Sequence, residues 1–305
     1  MPECYESRHR DVADGLDLKG EMGVKLLRVG PPSAETPAGI GADGIPRSFA
    51  DVVSDWTPEF LTDPRLRDLA AAGAPIVGGT RIGAPLARIG KVVCVGLNYR
   101  KHAQEANLPV PDEPVLFLKT PDVIVGPDDP VRVPPGSQKT DYEVELGVVI
   151  GRTTRRLHSP SRALEHVLGY VLANDVSERS FQLERGGSWD KGKNCDDFLP
   201  LGPWIATADE IDDPQNIILE SRVNGQLRQS ASTADMIFPV DHLIWYISRF
   251  LTLHPGDLVL TGTPHGVGSG FLPPRFLSPG DVVELHGTGL GAQRTVFVDG
   301  AAHDD

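Results

Sequence analysis

Two hydrophobic patterns divide this chain. From residue 91 onward, short apolar runs bounded by Gly, Pro or Asp recur, which is typical of β-strands. Those runs are KVVCVGLNY, PVLFLK, DVIVG, YEVELGVVIG, HVLGYVLANDV, IILESRVNG, DLVLTG, DVVELHG and TVFVDG. Apolar positions at helical spacing are few, and they favour helices at Ser159–Leu168 and Pro239–Leu253. The pattern predicts a β-rich α+β fold for residues 89–300.

The segment before residue 89 has a different pattern of hydrophobic and polar residues. VKLLRV at Val24–Val29 favours a strand, and the Pro-, Gly- and Ala-rich stretch after it favours turns between short strands. Pro64–Ala72 favours a short helix. We therefore predict a small N-terminal α/β domain over residues 22–88. Residues 1–21 are charged and contain no apolar core, so they indicate a polar N-terminal extension rather than a signal peptide.

The charge balance narrows the classes of partner. The chain has 305 residues, with 42 acidic against 29 basic side chains and a formal net charge of −13. Such a balance argues against nonspecific binding to nucleic acid and against docking to anionic membranes. It does not exclude a small anionic substrate, because a local cluster of cations can override the mean field. The three cysteines, Cys4, Cys94 and Cys195, have no metal-binding spacing, and they favour a reducing, cytoplasmic compartment.

Three carboxylates suggest a metal-binding site. Glu143 and Glu145 are two residues apart on a predicted strand, so both side chains point to the same face. The strand continues as LGVVIG, which is apolar on both faces and implies burial. Asp175 ends a second apolar run, and a third carboxylate nearby would complete an all-oxygen site for Mg²⁺, Mn²⁺ or Ca²⁺. The alternative is an acidic, solvated face on an edge strand.

A histidine and a lysine are further candidates. His102 and Glu105 are three residues apart, so one helical turn would place them together as a water-activating pair. The alternative is an exposed amphipathic turn. Lys193 ends GSWDKGK, which nearly fits a phosphate-binding loop but continues with Asn194 instead of Ser or Thr. We interpret Lys193 instead as a cation beside a substrate oxygen.

Taken together, these stretches resemble the fumarylacetoacetate hydrolase family. The resemblance extends from Met22 to about Val298 and rests on the order of GLNYRKHAQE, PVLFLK, DYEVELGVVIG, NDVSERSFQ, KGK-x-x-D, LGPW, MIFPV and PGDLVLTGTPHGVG. KLLRVG and QLERGGSWDKGK are most similar to a subgroup of 2,4-diketo-3-deoxy-L-fuconate hydrolases and ureidoglycolate lyase-like proteins. The resemblance implies a mixed β-roll, usually dimeric, and a hydrolase that cleaves a carbon–carbon bond in a small 2-oxo (1,3-diketo) acid.

The resemblance also implies roles for individual residues. Glu143, Glu145 and Asp175 are expected to bind Mg²⁺ or Mn²⁺, and His102, Glu105 and Lys193 to be catalytic. The residues expected to contact the substrate or support its site are Arg179, Gln182, Thr263 and Lys119.

Three other functions stay open. An oxaloacetate decarboxylase or keto–enol tautomerase would use the same metal and the same enolate. A specialised lyase or cyclase is compatible with His265 and with the segment 194–197, which depart from the usual family pattern. A structural or regulatory protein with a retired active site is disfavoured, since His102, Glu105 and Lys193 are all present.

Overall fold

The fold is described from a computed structural model, which covers residues 23–41, 43–58, 60–61, 73–76 and 78–300. The predicted extension at residues 1–21 and the predicted helix at Pro64–Ala72 lie outside these ranges. The strands in chain order are β1 Lys25–Val29, β2 Thr36–Ile40, β3 Pro46–Ser48, β4 Ala74–Pro75, β5 Ile82–Gly83, β6 Val92–Gly96, β7 Val115–Lys119, β8 Ile124–Val125, β9 Val131–Val133, β10 Thr140–Asp141, β11 Val144–Ile150, β12 Val167–Asn174, β13 Ser177–Glu178, β14 Leu199–Pro200, β15 Ile205–Thr207, β16 Ile218–Val223, β17 Gln226–Ser232, β18 Leu258–Leu260, β19 Val282–Gly287 and β20 Gly291–Asp299.

The helices are short and few within the described ranges. The α-helices are α1 Arg100–Glu105, α2 Arg179–Leu183, α3 Asp190–Lys193 and α4 Val240–Ser248, and 3₁₀ turns occur at Pro121–Val123, Pro160–His166, Thr233–Asp235 and Gly268–Gly270. None of these helices has the length and hydropathy needed to span a bilayer. The expectation of a β-rich α+β fold is confirmed.

Two mixed sheets contain most strands of the described residues, and two further pairs, β10 with β13 and β14 with β8, form two-stranded sheets. The larger mixed sheet has the order β4-β3-β2-β1-β15-β12-β11-β18-β6-β7, with β5 also paired to β1. The second has the order β17-β16-β19-β20-β9. The N-terminal strands β1–β4 therefore extend the same sheet that contains β11 and β12, while the division into two domains stays a prediction.

The central strands β11 and β12 are buried on both faces. On one face Val148 and Leu172 belong to a core that also contains Leu219 and Val283 of the second sheet. On the other face Val149, Val171 and Ala173 belong to a core with Leu26, Phe49 and Trp56. This double burial explains why LGVVIG and VLGYVLA are apolar runs without polar alternation.

Both predicted long helices are shorter in the structure. The helix predicted at Pro239–Leu253 is α4, which ends at Ser248 because Leu253 exchanges two backbone hydrogen bonds with Thr154 and so leaves the helical path. The helix predicted at Ser159–Leu168 is a 3₁₀ turn ending at His166. There the apolar residues that follow belong to β12, in which Val167 pairs with Ile150 of β11.

Candidate active site

The pairing of β11 with β12 brings the three predicted carboxylates together. Glu143 directly precedes β11, Glu145 lies on it, and Asp175 directly follows β12. The strands are antiparallel with Val144 opposite Asn174, so the start of one meets the end of the other. The Asp175 backbone N–H donates to the Glu143 carbonyl oxygen at 2.9 Å. The register therefore determines this cluster.

The cluster has the chemistry of a site for a hard divalent cation. One carboxylate oxygen from each of Glu143, Glu145 and Asp175 lies within 4.8 Å of the others. Oxygen ligands bind Mg²⁺ or Ca²⁺ at about 2.0–2.6 Å, so two oxygens that share an ion are separated by at most about twice that distance. All three residues are buried, and Glu143, at 5%, is the most exposed. The residues present therefore fit a divalent metal ion.

Two buried lysines contact the same carboxylates. Lys193 Nζ donates to Glu143 Oε2 and to Asp175 Oδ2, both at 2.7 Å. Lys119 Nζ donates to the other oxygen of Asp175 at 2.8 Å and to the Val176 carbonyl oxygen at 3.1 Å. Asp175 is therefore held from both sides, which leaves little freedom for its carboxylate to rotate.

The electrostatics of the cluster are uneven. Burial opposes ionisation of Glu143, but Lys193 and Arg179 outweigh it and lower the pKa of Glu143 to about 2. Burial, with Asp175 and Glu143 adding to it, raises the pKa of Glu145 well above its ordinary value. Burial also disfavours the charge of Lys193, but Asp175 and Glu143 raise its pKa to about 12. A further cation beside Glu145 would favour its ionised form, which agrees with a metal site.

Arg179 is anchored by a carboxylate that the sequence did not single out. Its Nη2 donates to Glu143 Oε1 at 2.7 Å, and its Nη1 donates to Gln182 Oε1 at 3.1 Å. Its Nε donates to Asp141 Oδ2 at 2.9 Å. Asp141 is fully buried and also accepts backbone N–H groups from Gly268 and Ser269. Asp141 lies two residues before Glu143 in DYEVE, so the alternation that groups Glu143 with Glu145 could also have predicted Asp141.

The predicted histidine–glutamate pair forms on α1. His102 Nδ1 lies 3.2 Å from Glu105 Oε2. Because an ionised carboxylate can only accept, Nδ1 is the donor in this contact, and in the neutral imidazole that arrangement leaves the lone pair on Nε2. Glu105 Oε1 accepts the backbone N–H of Gly266 at 2.9 Å. The glutamate is thus held in place and in turn orients the imidazole, as a general base requires.

Thr263 reaches the site from the loop after β18. Its Oγ1 donates to the Val144 carbonyl oxygen at 3.0 Å and accepts from Gln229 Nε2 at 2.8 Å. Gln229 Oε1 accepts the Val144 N–H and the Ser221 hydroxyl. Gln229 links β17 to β11, and its polar strand QLRQSAS contains no apolar run that would have predicted it.

One cavity joins most of these groups. It has a volume of about 120 Å³, and seven predicted residues line it: His102, Glu143, Glu145, Arg179, Gln182, Lys193 and Thr263. The other three, Glu105, Asp175 and Lys119, bond to residues of this wall or to each other. The sequence did not predict Trp189 or Ser269, which also line the cavity.

A larger groove of about 460 Å³ lies on the second sheet. Its lining includes Glu220, Arg222, Glu284, His286 and Arg294, which face each other across β16, β19 and β20. These side chains form a solvated charged sheet face without the buried carboxylates of the smaller cavity. The smaller cavity is therefore the candidate active site.

Comparison with known proteins identifies the family of this chain. The model of the family described as fumarylacetoacetate (FAA) hydrolase C-terminal matches residues 91–298. The chain belongs to the fumarylacetoacetate hydrolase family. A Burkholderia multivorans protein, whose name assigns it only to the hydrolases, is 50% identical over 275 residues, which cover 88% of this chain and 97% of that protein.

Solved structures of the family are similar over most of the chain. The fumarylacetoacetate hydrolase of Exiguobacterium antarcticum has a TM-score of 0.82 at 36% identity and covers 90% of this chain and 99% of its own. The 5-carboxymethyl-2-hydroxymuconate delta-isomerase of Mycobacterium smegmatis has a TM-score of 0.72 at 34% identity and covers 90% and 98%. The family thus includes proteins named hydrolase and isomerase, and the narrower subgroup suggested by the sequence stays a prediction.

Proposed function

We propose that this fumarylacetoacetate hydrolase family enzyme hydrolyses a carbon–carbon bond in a small 2,4-diketo acid. One observation carries the proposal. The same cavity is lined by a histidine held by a carboxylate, by two members of the buried carboxylate triad and by the cation Lys193, which bonds to the third member, Asp175. Such a set supplies a base for water, an anchor for a metal and a donor for developing negative charge.

Cations in the cavity wall, together with a metal ion held by the carboxylates, would offset the charge of an anionic substrate. Arg179 and Lys193 line the cavity, and Lys119 lies behind Asp175. A 2-oxo carboxylate is small and negatively charged, so cations at the cavity wall compensate for its desolvation. Arg179, Gln182 and Thr263 are the groups that we expect to contact its oxygens.

His102 would act as the general base. Its Nε2 accepts a proton from water while Glu105 holds Nδ1, and the resulting hydroxide adds to the distal carbonyl carbon of the substrate. The bond between that carbon and the adjacent CH₂ then breaks, and its electron pair forms the enolate of the 2-oxo acid. Protonation of the enolate gives pyruvate or a related 2-oxo acid, and the other fragment leaves as a carboxylic acid.

Glu143, Glu145 and Asp175 would hold Mg²⁺ or Mn²⁺. When bound, such an ion polarises carbonyl oxygens and lowers the cost of enolate formation. Lys193 contacts two of the three carboxylates, so its ammonium group lies where it can stabilise the same negative charge. A homodimer in a reducing, cytoplasmic compartment is our proposal for the assembly and its location, and light scattering of the purified protein tests the dimer.

Product analysis tests the proposed reaction. Purified protein is incubated with Mg²⁺ or Mn²⁺, with and without a chelator, and with acylpyruvates, 2,4-diketo-3-deoxy sugar acids and oxaloacetate. We expect metal-dependent release of a 2-oxo acid together with a second carboxylic acid. Release of CO₂ from oxaloacetate without hydrolysis of any diketo acid would contradict the proposal and indicate a decarboxylase.

An isomerase is the second candidate, because the solved structure from Mycobacterium smegmatis carries that name. Moving a proton on an enolisable 2-oxo acid needs the same base and the same stabilised enolate, but no water is consumed. A change in ultraviolet absorbance without a second acid would favour this reaction.

A further inference from the structure

Half of the cavity wall has no role in the proposed reaction. Beside its charged groups, the cavity is lined by the apolar side chains of Leu97, Leu108, Phe117, Leu183 and Trp189. Leu108 and Leu183 are 46% and 59% exposed, so they form a rim open to solvent. Trp189 is half-buried and lies deeper. The cavity therefore has a charged part and an apolar part.

The two parts meet at β7. Lys119 and Phe117 are two residues apart on this strand and share a face, at a spacing of about 7 Å. Lys119 bonds to Asp175 at the centre of the charged part. The Phe117 ring lies 5.1 Å from Lys193 Nζ, measured to the ring centroid, and 5.5 Å from the Trp189 ring in an edge-to-face contact. The apolar wall thus begins directly beside the cation that faces the carboxylates.

Gly96 makes the position of Trp189 possible. A Cβ at residue 96 would lie 2.7 Å from Trp189 Cζ3, so the indole occupies the space that a side chain there would take. Trp189 lies between α2, which carries Arg179 and Gln182, and α3, which carries Lys193. The indole therefore packs against Gly96 of β6 and Phe117 of β7, while the backbone of Trp189 directly precedes the helix that carries Lys193.

We propose that Trp189 determines specificity by taking the hydrocarbon end of the acyl substituent, so that the substrate is an acylpyruvate-type acid with an apolar tail. This inference rests on the proposed function and names its substrate class. Most hydroxyl groups of a sugar-acid tail placed against this wall would lose water without gaining hydrogen bonds, because Leu97 and Phe117 have no polar side-chain atom and Trp189 has a single N–H donor. Each such hydroxyl costs at least about fivefold in affinity.

Calorimetry with unreactive 2-oxo acids tests this directly. The probes are 2-oxohexanoate and a 2-oxo-3-deoxyhexonate, which have six carbons each and differ in the hydroxyl groups of the tail, with Mn²⁺ present throughout. We expect the wild-type protein to bind 2-oxohexanoate at least about tenfold more tightly. Trp189→Ala should remove most of that preference, and Trp189→Phe should retain part of it.

Two further variants distinguish a loss of the indole contact from general damage to the fold. Gly96→Ala keeps Trp189 but displaces its ring, so it should weaken 2-oxohexanoate binding and leave the hydroxylated acid nearly unchanged. Leu118→Ala is the matched control, since Leu118 lies on β7 next to Phe117, is 49% exposed and does not line the cavity. It should retain the wild-type preference.

Equal or tighter binding of the hydroxylated acid overturns the inference, and so does a preference that survives Trp189→Ala. Absence of binding by both acids also overturns it. The proposed reaction fails independently. Binding of 2-oxohexanoate through Trp189 without hydrolysis of any diketo acid would support the inference and contradict the proposed reaction. Efficient hydrolysis of 2,4-diketo sugar acids alone would support the reaction and contradict the inference.

Discussion

Asp141 and Arg179 form a buried ion pair in which Arg179 Nε donates to Asp141 Oδ2 at 2.9 Å. Asp141 also accepts the N–H of Gly268 at 2.6 Å and that of Ser269 at 3.0 Å. Arg179 in turn donates to Glu143. The pair therefore connects the segment that carries Ser269, which lines the cavity, to the carboxylate cluster.

Replacing Asp141 with Asn should misplace Arg179. The variant loses its negative charge, and its amide NH₂ must face one of the N–H donors that the carboxylate now accepts. We expect KM for the diketo acid to rise about tenfold or more, because an Arg179 side chain that Asp141 no longer holds must be ordered when substrate binds, and one hydrogen bond to a charged group is worth about 1.5–3 kcal/mol. The free energy of unfolding should fall by about 3 kcal/mol, since a buried ion pair is broken. Steady-state kinetics and urea denaturation measure the two effects.

Asp129→Asn is the matched control for this prediction. Asp129 accepts two hydrogen bonds from Arg81, and neither residue lines the cavity. The variant should lose stability while KM stays at the wild-type value. A wild-type KM in Asp141→Asn would show that the pair has no role in positioning Arg179.

His102→Ala should abolish the general base and spare the metal. We expect kcat to fall by about 10²–10⁴-fold, the usual contribution of a positioned base. Binding of Mn²⁺, followed by titration calorimetry, should be unchanged, because His102 is not one of the three clustered carboxylates. Glu105→Gln, which keeps an acceptor for the Gly266 N–H, should show a smaller loss. Normal turnover by His102→Ala would refute the assignment of this pair.

Divalent metal should stabilise the folded protein through the carboxylate cluster. At an ion concentration about 100 times Kd, binding to the folded state alone adds about 2.7 kcal/mol. Glu145→Gln retains an acceptor for the Gly262 N–H, which now donates to Glu145 at 2.8 Å, but it loses a charged ligand. Thermal denaturation should therefore show a rise in Tm with Mn²⁺ for the wild type and for the groove variant Glu220→Gln, and little rise for Glu145→Gln. An equal rise in all three would place the ion elsewhere.

His166 should make stability depend on pH. Burial and the nearby Arg152 lower the pKa of His166, whose Nδ1 lies 3.1 Å from Thr154 Oγ1. A histidine whose pKa is lower in the folded state binds more protons when unfolded, so stability is retained above the unfolded pKa of about 6.5 and decreases below it. Denaturation midpoints measured between about pH 7.5 and 5 should fall less in His166→Gln than in the wild type. Parallel curves would contradict the prediction.

Local sequence patterns predicted much of this site. The alternation of β11 put Glu143 and Glu145 on one face, and the spacing of three placed His102 beside Glu105 on α1. Asp141 was within reach of the same argument, because it lies two residues before Glu143. No local pattern predicted Gln229 or Trp189. Gln229 lies on the polar strand β17, and the residues around Trp189 show no apolar periodicity.

The sequence by itself determined the fold class, the apolar strands and the ten residues predicted for the site, because these depend on periodicities, spacings and motifs within short segments. Only the tertiary structure decided that β11 and β12 pair with Val144 opposite Asn174 and so place Asp175 beside Glu143. Only it decided that Lys119 and Lys193, 74 positions apart, converge on Asp175. Burial, and with it the pKa shifts of the carboxylates, depends on which surfaces pack together, and that is a property of the whole chain rather than of any one segment.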